Sequence, residues 1–237
     1  MELVGKVKQI NRYPVKSFAG ESLETCKIDT YGLYGDRFCA LYDERLSGWK
    51  SFITARAIPE LLTYRTNFLD EEVTISSPNG QKFGWNQDLL DEIQRYSEKK
   101  ISMTNFRAPN PEDPALMSVD AASILIITDN TLRRLEEMMG KNIDPRRFRA
   151  NIMVSLHNSK LNERDWIGKK LVIGKTELQL DTFCERCSMI TIDPVTLEKD
   201  TSLLKKVNEE MNLNFGVYAS VNKTGKISVD DQVYLAE

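Results

Sequence analysis

Leu171-Val-Ile-Gly-Lys-Thr-Glu-Leu-Gln-Leu180 runs directly into Asp181-Thr-Phe-Cys-Glu-Arg-Cys-Ser-Met-Ile-Thr-Ile-Asp-Pro194, and the pair sets the expected fold and chemistry together. Gly174-Lys175 between two apolar runs suits a two-residue hairpin turn, because glycine supplies a positive φ without steric cost. Glu177–Leu180 alternates and Met189–Ile192 is β-branched, as half-buried strands are, and Asp193-Pro194 is a turn signal. Cys187 is therefore expected in a connection between two strands, held rigidly yet reachable. Arg186 beside it, if aimed inward, favours thiolate over thiol, and the thiolate is the form that attacks or ligates.

Other readings of the same thiols stand beside that one. A free cysteine is among the most often buried residues, so inert core is the plain alternative. Cys184-x-x-Cys187 also has the spacing of a redox dithiol or of half a zinc site. Zinc needs two further ligands, and the chain offers only Cys26, Cys39 and the single His157, which looks like a surface residue in a polar loop.

Working outward, Asp200 or Thr201 caps a helix through Leu203, Leu204, Val207 and Met211, and Phe215–Val229 with Gln232–Leu235 reads as a hairpin and a closing strand. On the other side, Asp144-Pro-Arg-Arg-Phe-Arg-Ala-Asn-Ile-Met-Val154, read as a strand, puts Arg147, Arg149 and Asn151 on one face and Phe148, Ala150, Ile152 and Val154 on the other. Two guanidiniums about 7 Å apart on a rigid strand form a fork for phosphate, with no acid between them. Ser123–Thr128 has strand length, and Thr131–Met139 is a helix stopped by Gly140. Ala108-Pro-Asn-Pro-Glu-Asp-Pro114 packs three prolines into seven residues and marks a boundary near 110 to 117.

The first half reads as mostly β. Val4–Ile10 is a strand leading into Asn11-Arg-Tyr-Pro-Val-Lys-Ser17, where Pro14 ends pairing and puts Lys16 and Ser17 in a loop, one point charge and one hydroxyl. Gly32 and Gly35 permit tight turns before a strand at Phe38–Tyr42, with Asp36-Arg37 opening it. Ser51–Glu60 passes from a strand into a turn at Pro59, Val73–Phe83 turns back on Asn79-Gly80, and Asn86 caps a helix carrying Leu89, Leu90 and Ile93. Short strands with few helices predict a β-rich fold of the β-barrel kind.

Composition excludes several classes. The chain has 237 residues, of which 41% are hydrophobic and 28% charged, an ordinary globular balance with enough length for one large or two small cores. A net charge of −3 argues against bulk nucleic-acid binding, so an anionic ligand must be caught by a local cluster of Arg and Lys. No apolar run approaches a membrane span and Met1-Glu-Leu-Val-Gly-Lys6 is no secretory leader, so the expectation is a cytoplasmic protein without a membrane partner. Four cysteines without paired spacing agree with a reducing compartment.

In this order and spacing the motifs resemble the MOSC family, the molybdenum-cofactor sulfurase C-terminal domain, with its usual N-terminal β-barrel partner. The resemblance rests on Tyr13-Pro-Val-Lys-Ser17, Gly32-Leu-Tyr-Gly-Asp-Arg37, Thr54-Ala-Arg56 with Pro59, Arg147-Phe-Arg-Ala-Asn151, Asp165-Trp-Ile-Gly168, Arg186-Cys187, Thr191-Ile-Asp-Pro194 and Phe215-Gly-Val-Tyr218. Among family members the chain is similar to the standalone proteins related to the mitochondrial amidoxime-reducing component. The resemblance implies an N-terminal β-rich domain over residues 1–112 and a MOSC β-barrel over 113–237. It implies a molybdenum cofactor (Mo-molybdopterin) with its metal ligated by Cys187, the catalytic position. Lys16, Ser17, Arg37, Arg147, Arg149 and Asn151 would hold phosphate and pterin, with Arg186 beside the ligand and Tyr218 lining the site. Small N-hydroxylated substrates and a separate electron donor (a reductase, or an iron-sulfur, flavin or haem protein) follow, and pyridoxal phosphate binding is a further property associated with the family. A sulfur carrier using a Cys187 persulfide, or a cofactor-transfer module, is the other function open to such a chain. Ala150, Leu197 and Asp230 depart from the family pattern, which usually has proline at the first position and glycine at the other two.

Overall fold

The computed structural model describes residues 1–105 and 123–237. The first half contains β1 (Glu2–Arg12), β2 (Glu21–Leu23), β3 (Thr25–Asp29), β4 (Gly32–Leu33), β5 (Cys39–Tyr42), β6 (Phe52–Ile53), β7 (Arg65–Leu69), β8 (Glu72–Ser76), β9 (Lys82–Gly84), α1 (Gln87–Gln94) and β10 (Ser102–Asn105). The second contains β11 (Ile124–Thr128), α2 (Asp129–Met139), β12 (Ile152–Leu156), β13 (Lys170–Ile173), β14 (Thr176–Glu185), α3 (Thr201–Met211), β15 (Asn214–Lys223), β16 (Gly225–Ser228) and β17 (Gln232–Ala236). The β-barrel expectation holds: strands in the order β12-β11-β15-β14-β13-β17-β1 close into a seven-strand barrel because β1 also pairs with β12. Every barrel neighbour is antiparallel except β11–β12, and that parallel pair needs a crossover, which α2 supplies.

The first strand of the chain thus closes the barrel built by the last ones. Val4, Val7 and Ile10 of β1 point into its core with Ile126, Val154, Leu178 and Val217. Their spacing of three, where an ideal strand gives two, follows from register shifts at Leu3/Gly5 and Val7/Gln9. Gly5 lies at such an irregularity, and a Cβ there would sit 2.1 Å from the Ser155 carbonyl oxygen, so only glycine allows the strands to approach. The expected boundary near 110 to 117, and with it the division at 112, lies outside the described residues; β1, β3 and β4 nevertheless share a core with the C-terminal strands.

Two further cores flank the barrel. One, built on Phe18, Phe38, Leu61, Tyr64, Ile75 and Leu89, belongs to the sheets β10-β5-β6 and β7-β8-β9. The other lies between β11 and the helices: Leu125 and Ile127 face Leu135, Leu203 and Val207, while Phe148 stacks on Phe215 with centroids 4.0 Å apart. Because both faces of β11 are covered, Ile124-Leu-Ile-Ile-Thr128 is buried throughout and its apolar residues do not alternate.

Three local expectations are corrected. Pro145–Phe148 forms a 3-10 turn and Arg149 has φ +54, so Arg147, Arg149 and Asn151 do not share a strand face; β12 begins only at Ile152. Pro145, with its fixed φ, starts the turn, and Asp144 caps it by accepting from Arg146 N–H. Ser188–Thr191 is likewise a 3-10 turn and no strand. Helix α2 starts two residues earlier than its periodicity suggests, since Thr128 accepts from Thr131 N–H as the cap. Leu197 and Asp230, where the resemblance expects glycine, do take positive φ, 63° and 68°.

Candidate functional site

A cleft forms where the loop after β1, the turn before β5, the turn after β6, the 145–149 turn and the end of β14 meet. Lys16, Ser17, Arg37, Arg149, Arg186, Cys187 and Tyr218, expected at the site, all line it. Three of them, Ser17, Arg37 and Arg149, have φ of 68°, 54° and 54°, in the left-handed region that costs a non-glycine residue on the order of 1–2 kcal/mol. Such strain persists only where surrounding structure over-determines it.

The cations are held from below by protein groups. Arg37 and Arg149 stack on the buried ring of Tyr13, with guanidinium carbons 4.7 and 4.2 Å from its centroid. Burial raises the Tyr13 phenol above its ordinary pKa despite the opposing pull of Arg149 and Arg37. Arg37 is also hydrogen-bonded to Asp36, whose carboxylate accepts from Tyr13 N–H at 2.6 Å and Asn151 Nδ2 at 3.1 Å. Burial lifts the Asp36 carboxyl above the usual carboxylate range, against Arg37, Tyr13 N–H and Asn151. Arg149 Nη1 donates to the Phe18 carbonyl at 2.7 Å, tying the 145–149 turn to the loop that carries Lys16 and Ser17. Lys16 sits 5.2 Å from the centroid of the Phe52 ring.

Cys187 is exposed, at the mouth between β14 and the 188–191 turn, whereas Cys184 is buried to 2% at the cleft wall. The Arg186 guanidinium makes its thiol contact with Cys184, and not with Cys187 as its position in the chain implied: Nη1 donates to Cys184 Sγ at 2.9 Å and Nη2 to the Phe148 carbonyl at 2.7 Å. Strand alternation explains this, since Cys184 and Arg186 share one face of the extended segment. Among the described residues no group of three or more His, Cys, Asp or Glu is placed to hold a metal ion, so neither thiol has protein co-ligands for zinc there.

Arg147 and Asn151 stand apart from the cleft. Arg147 donates to the Ile190 and Thr191 carbonyls at 3.1 and 3.0 Å and to Asp193 at 2.7 Å, so the charge expected to be unpaired locally has an acid partner 46 residues along the chain. Asn151, 1% exposed, joins Asn11, Asp36 and Leu125. Both position the elements that carry the site. Thr54, Arg56, Glu185 and Met189 also line the cleft and were not singled out as site residues; the Thr54-Ala-Arg56 motif was the available signal for the first two.

Comparisons with known proteins place the chain in a family. The MOSC domain family model matches residues 113–234, and that of the MOSC N-terminal beta barrel domain matches residues 4–125. Mitochondrial amidoxime reducing component 2 of Homo sapiens is 31% identical over 99% of this chain and 84% of its own length. Molybdenum cofactor sulfurase 3 of Aedes aegypti is 26% identical over 91% of this chain, which spans 34% of that longer protein. The YUAD protein of Bacillus subtilis shares the fold, with a TM-score of 0.52 at 13% identity over 98% of this chain and 96% of its own.

Proposed function

Because the chain belongs to the MOSC domain family, we propose that its cleft holds a molybdopterin cofactor and reduces N-hydroxylated small molecules with electrons from a separate protein. The observation that carries this reading is the exposed thiol of Cys187 at the rim of a cleft lined by Lys16, Arg37, Arg149 and Arg186. A soft thiolate suits a thiophilic metal, and a dianionic phosphate needs such a cluster. The donor set fits in a second respect: Arg186 Nε is buried without a hydrogen-bond partner among the described residues, a donor that an anionic or carbonyl-bearing ligand would satisfy.

In this reading Cys187 supplies the metal ligand, Arg149 and Arg37 bind the phosphate, and Lys16 and Ser17 complete its cradle. Tyr218 walls the pocket and Arg147 holds the 188–191 turn on which Cys187 depends. The bound cofactor supplies two-electron chemistry. The balance R–NH–OH + 2 e⁻ + 2 H⁺ → R–NH₂ + H₂O leaves the chain to orient the N–O group and admit protons.

Protein made in a host that synthesises the cofactor tests the reading. It should carry about one molybdenum per chain and reduce benzamidoxime to benzamidine with a chemically reduced dye as donor. A second thiol, Cys184, in the same cleft favours a sulfur-carrier reading as the competitor, and labile sulfane sulfur without molybdenum would replace the proposal with it.

A further inference from the structure

Five cationic side chains line the cleft, and four of them are committed to groups of the protein's own floor. Arg37 is bonded to Asp36, Arg149 to the Phe18 carbonyl and Arg186 to Cys184 and Phe148, while Lys16 lies over Phe52. Arg56 differs. It is exposed, and among the described residues its one hydrogen bond is from Nε to Thr54 Oγ1 at 3.3 Å, which leaves both terminal nitrogens free to form a fork. Among the described residues no carboxylate lies within ion-pair distance of it, and Glu185, the acidic residue lining the same cleft, does not reach it.

Its placement is built and rigid. Thr54 is 6% exposed, Ala55 is fully buried, and the Thr54 carbonyl accepts from Ala57 N–H at 2.8 Å and from Ile58 N–H at 3.0 Å. That tight turn follows β6, and Arg56 is exposed in the cleft lining where Lys16, Arg37, Arg149 and Arg186 are half-buried. An arginine fork held open at a rim recognises a planar anion bidentately.

We infer that Arg56 selects substrates that carry a carboxylate beside the reducible N–O group, so that the substrate class is N-hydroxylated acids. This rests on the reductase reading given above and deepens it. The carboxylate docks on Arg56 while the N–O group points toward Cys187, which lines the same cleft. Because Arg56 is solvated, the preference should be about fivefold and not larger, and it should weaken as salt is added.

The experiment compares benzamidoxime with 4-carboxybenzamidoxime, using the cofactor-loaded protein and a reduced dye. Wild type should show kcat/KM about fivefold higher for the carboxylate, mainly through KM. Arg56→Gln should remove that preference while reducing benzamidoxime as well as wild type does, and Arg56→Lys, which keeps charge without the fork, should retain a part. Calorimetric binding of the product 4-amidinobenzoate against benzamidine reads the same preference without turnover and should follow the same order. Equal kcat/KM for both substrates in wild type, or equal binding of both products, overturns the inference. So does loss of pterin from Arg56→Gln, which would make Arg56 a cofactor ligand. Failure of the underlying reading looks different: wild type would then contain no molybdenum and reduce neither substrate.

Discussion

Replacing Arg147 by alanine separates two accounts of the cationic stretch at 145–151. As a tether, Arg147 makes three hydrogen bonds, to the Ile190 and Thr191 carbonyls at 3.1 and 3.0 Å and to Asp193 at 2.7 Å, from a side chain 11% exposed. Bonds from a charged donor contribute about 1.5–3 kcal/mol each, and breaking a buried pair costs about 3–5 kcal/mol. The lower end applies here. Asp193 keeps the Val195 and Thr196 N–H donors, both at 2.9 Å, and is itself a quarter exposed. A loss of about 3 kcal/mol is expected, which for a chain of this length lowers Tm by roughly 6–12 °C. Thermal or urea unfolding of cofactor-free Arg147→Ala measures it, and Arg147→Lys should recover a minor part because lysine cannot fork between carbonyls and carboxylate. A cofactor-free variant as stable as wild type, combined with loss of pterin from loaded protein, would refute the tether and restore Arg147 as a phosphate ligand.

Other outcomes follow from the same structure. Arg149→Ala should lose pterin by about ten- to hundredfold in affinity for each charge-assisted bond removed, read by fluorescence of released pterin. Glu163 is fully buried, its Oε2 accepting from Thr128 and Thr131 while Oε1 has no partner. Burial raises its pKa above the unfolded value, so wild type loses stability as pH rises from the ordinary carboxylate range toward the folded pKa; Glu163→Gln should be level or more stable above about pH 5, and a variant less stable at every pH would refute this. Asp200 caps α3 and bonds Lys141 at 2.6 Å, and that bond, then Ser202, holds its pKa at about 2. Its contribution is present above the unfolded value near 4 and is lost as pH falls through about 2, so Asp200→Ala should cost about 1 kcal/mol at pH 7 and progressively less as pH falls from 4 through 2.

Local signals read well from the chain. Asn86 and Gly140 cap their helices, and Gly174-Lys175 turns the β13–β14 hairpin, because the determinant of each lies within a few residues. The motif loops carrying Lys16, Ser17 and Arg37 were legible for the same reason, and they do meet at one cleft. What escaped depended on partners distant in sequence. Arg147 looks unpaired in sequence because Asp193 lies 46 residues away, and the apolar alternation carries a strand back across Pro145, while the left-handed turn at Arg149 that ends it is set only by the fold. The second role of β1, closing a barrel with β12 and β17, leaves no mark in its own residues except Gly5, whose need shows only when Ser155 is beside it. Arg186 was assigned to its sequence neighbour Cys187, whereas strand geometry sends it to Cys184.

In the proposed reading Cys187 ligates the metal of a molybdopterin held in this cleft. X-ray absorption at the molybdenum edge, on wild type and Cys187→Ser loaded in the same host, tests it without recourse to turnover. The account predicts that Cys187→Ser retains pterin and loses one sulfur scatterer from the metal shell, while Cys184→Ala leaves that shell unchanged. An identical sulfur count in wild type and Cys187→Ser would contradict it, as would loss of the scatterer on replacing Cys184.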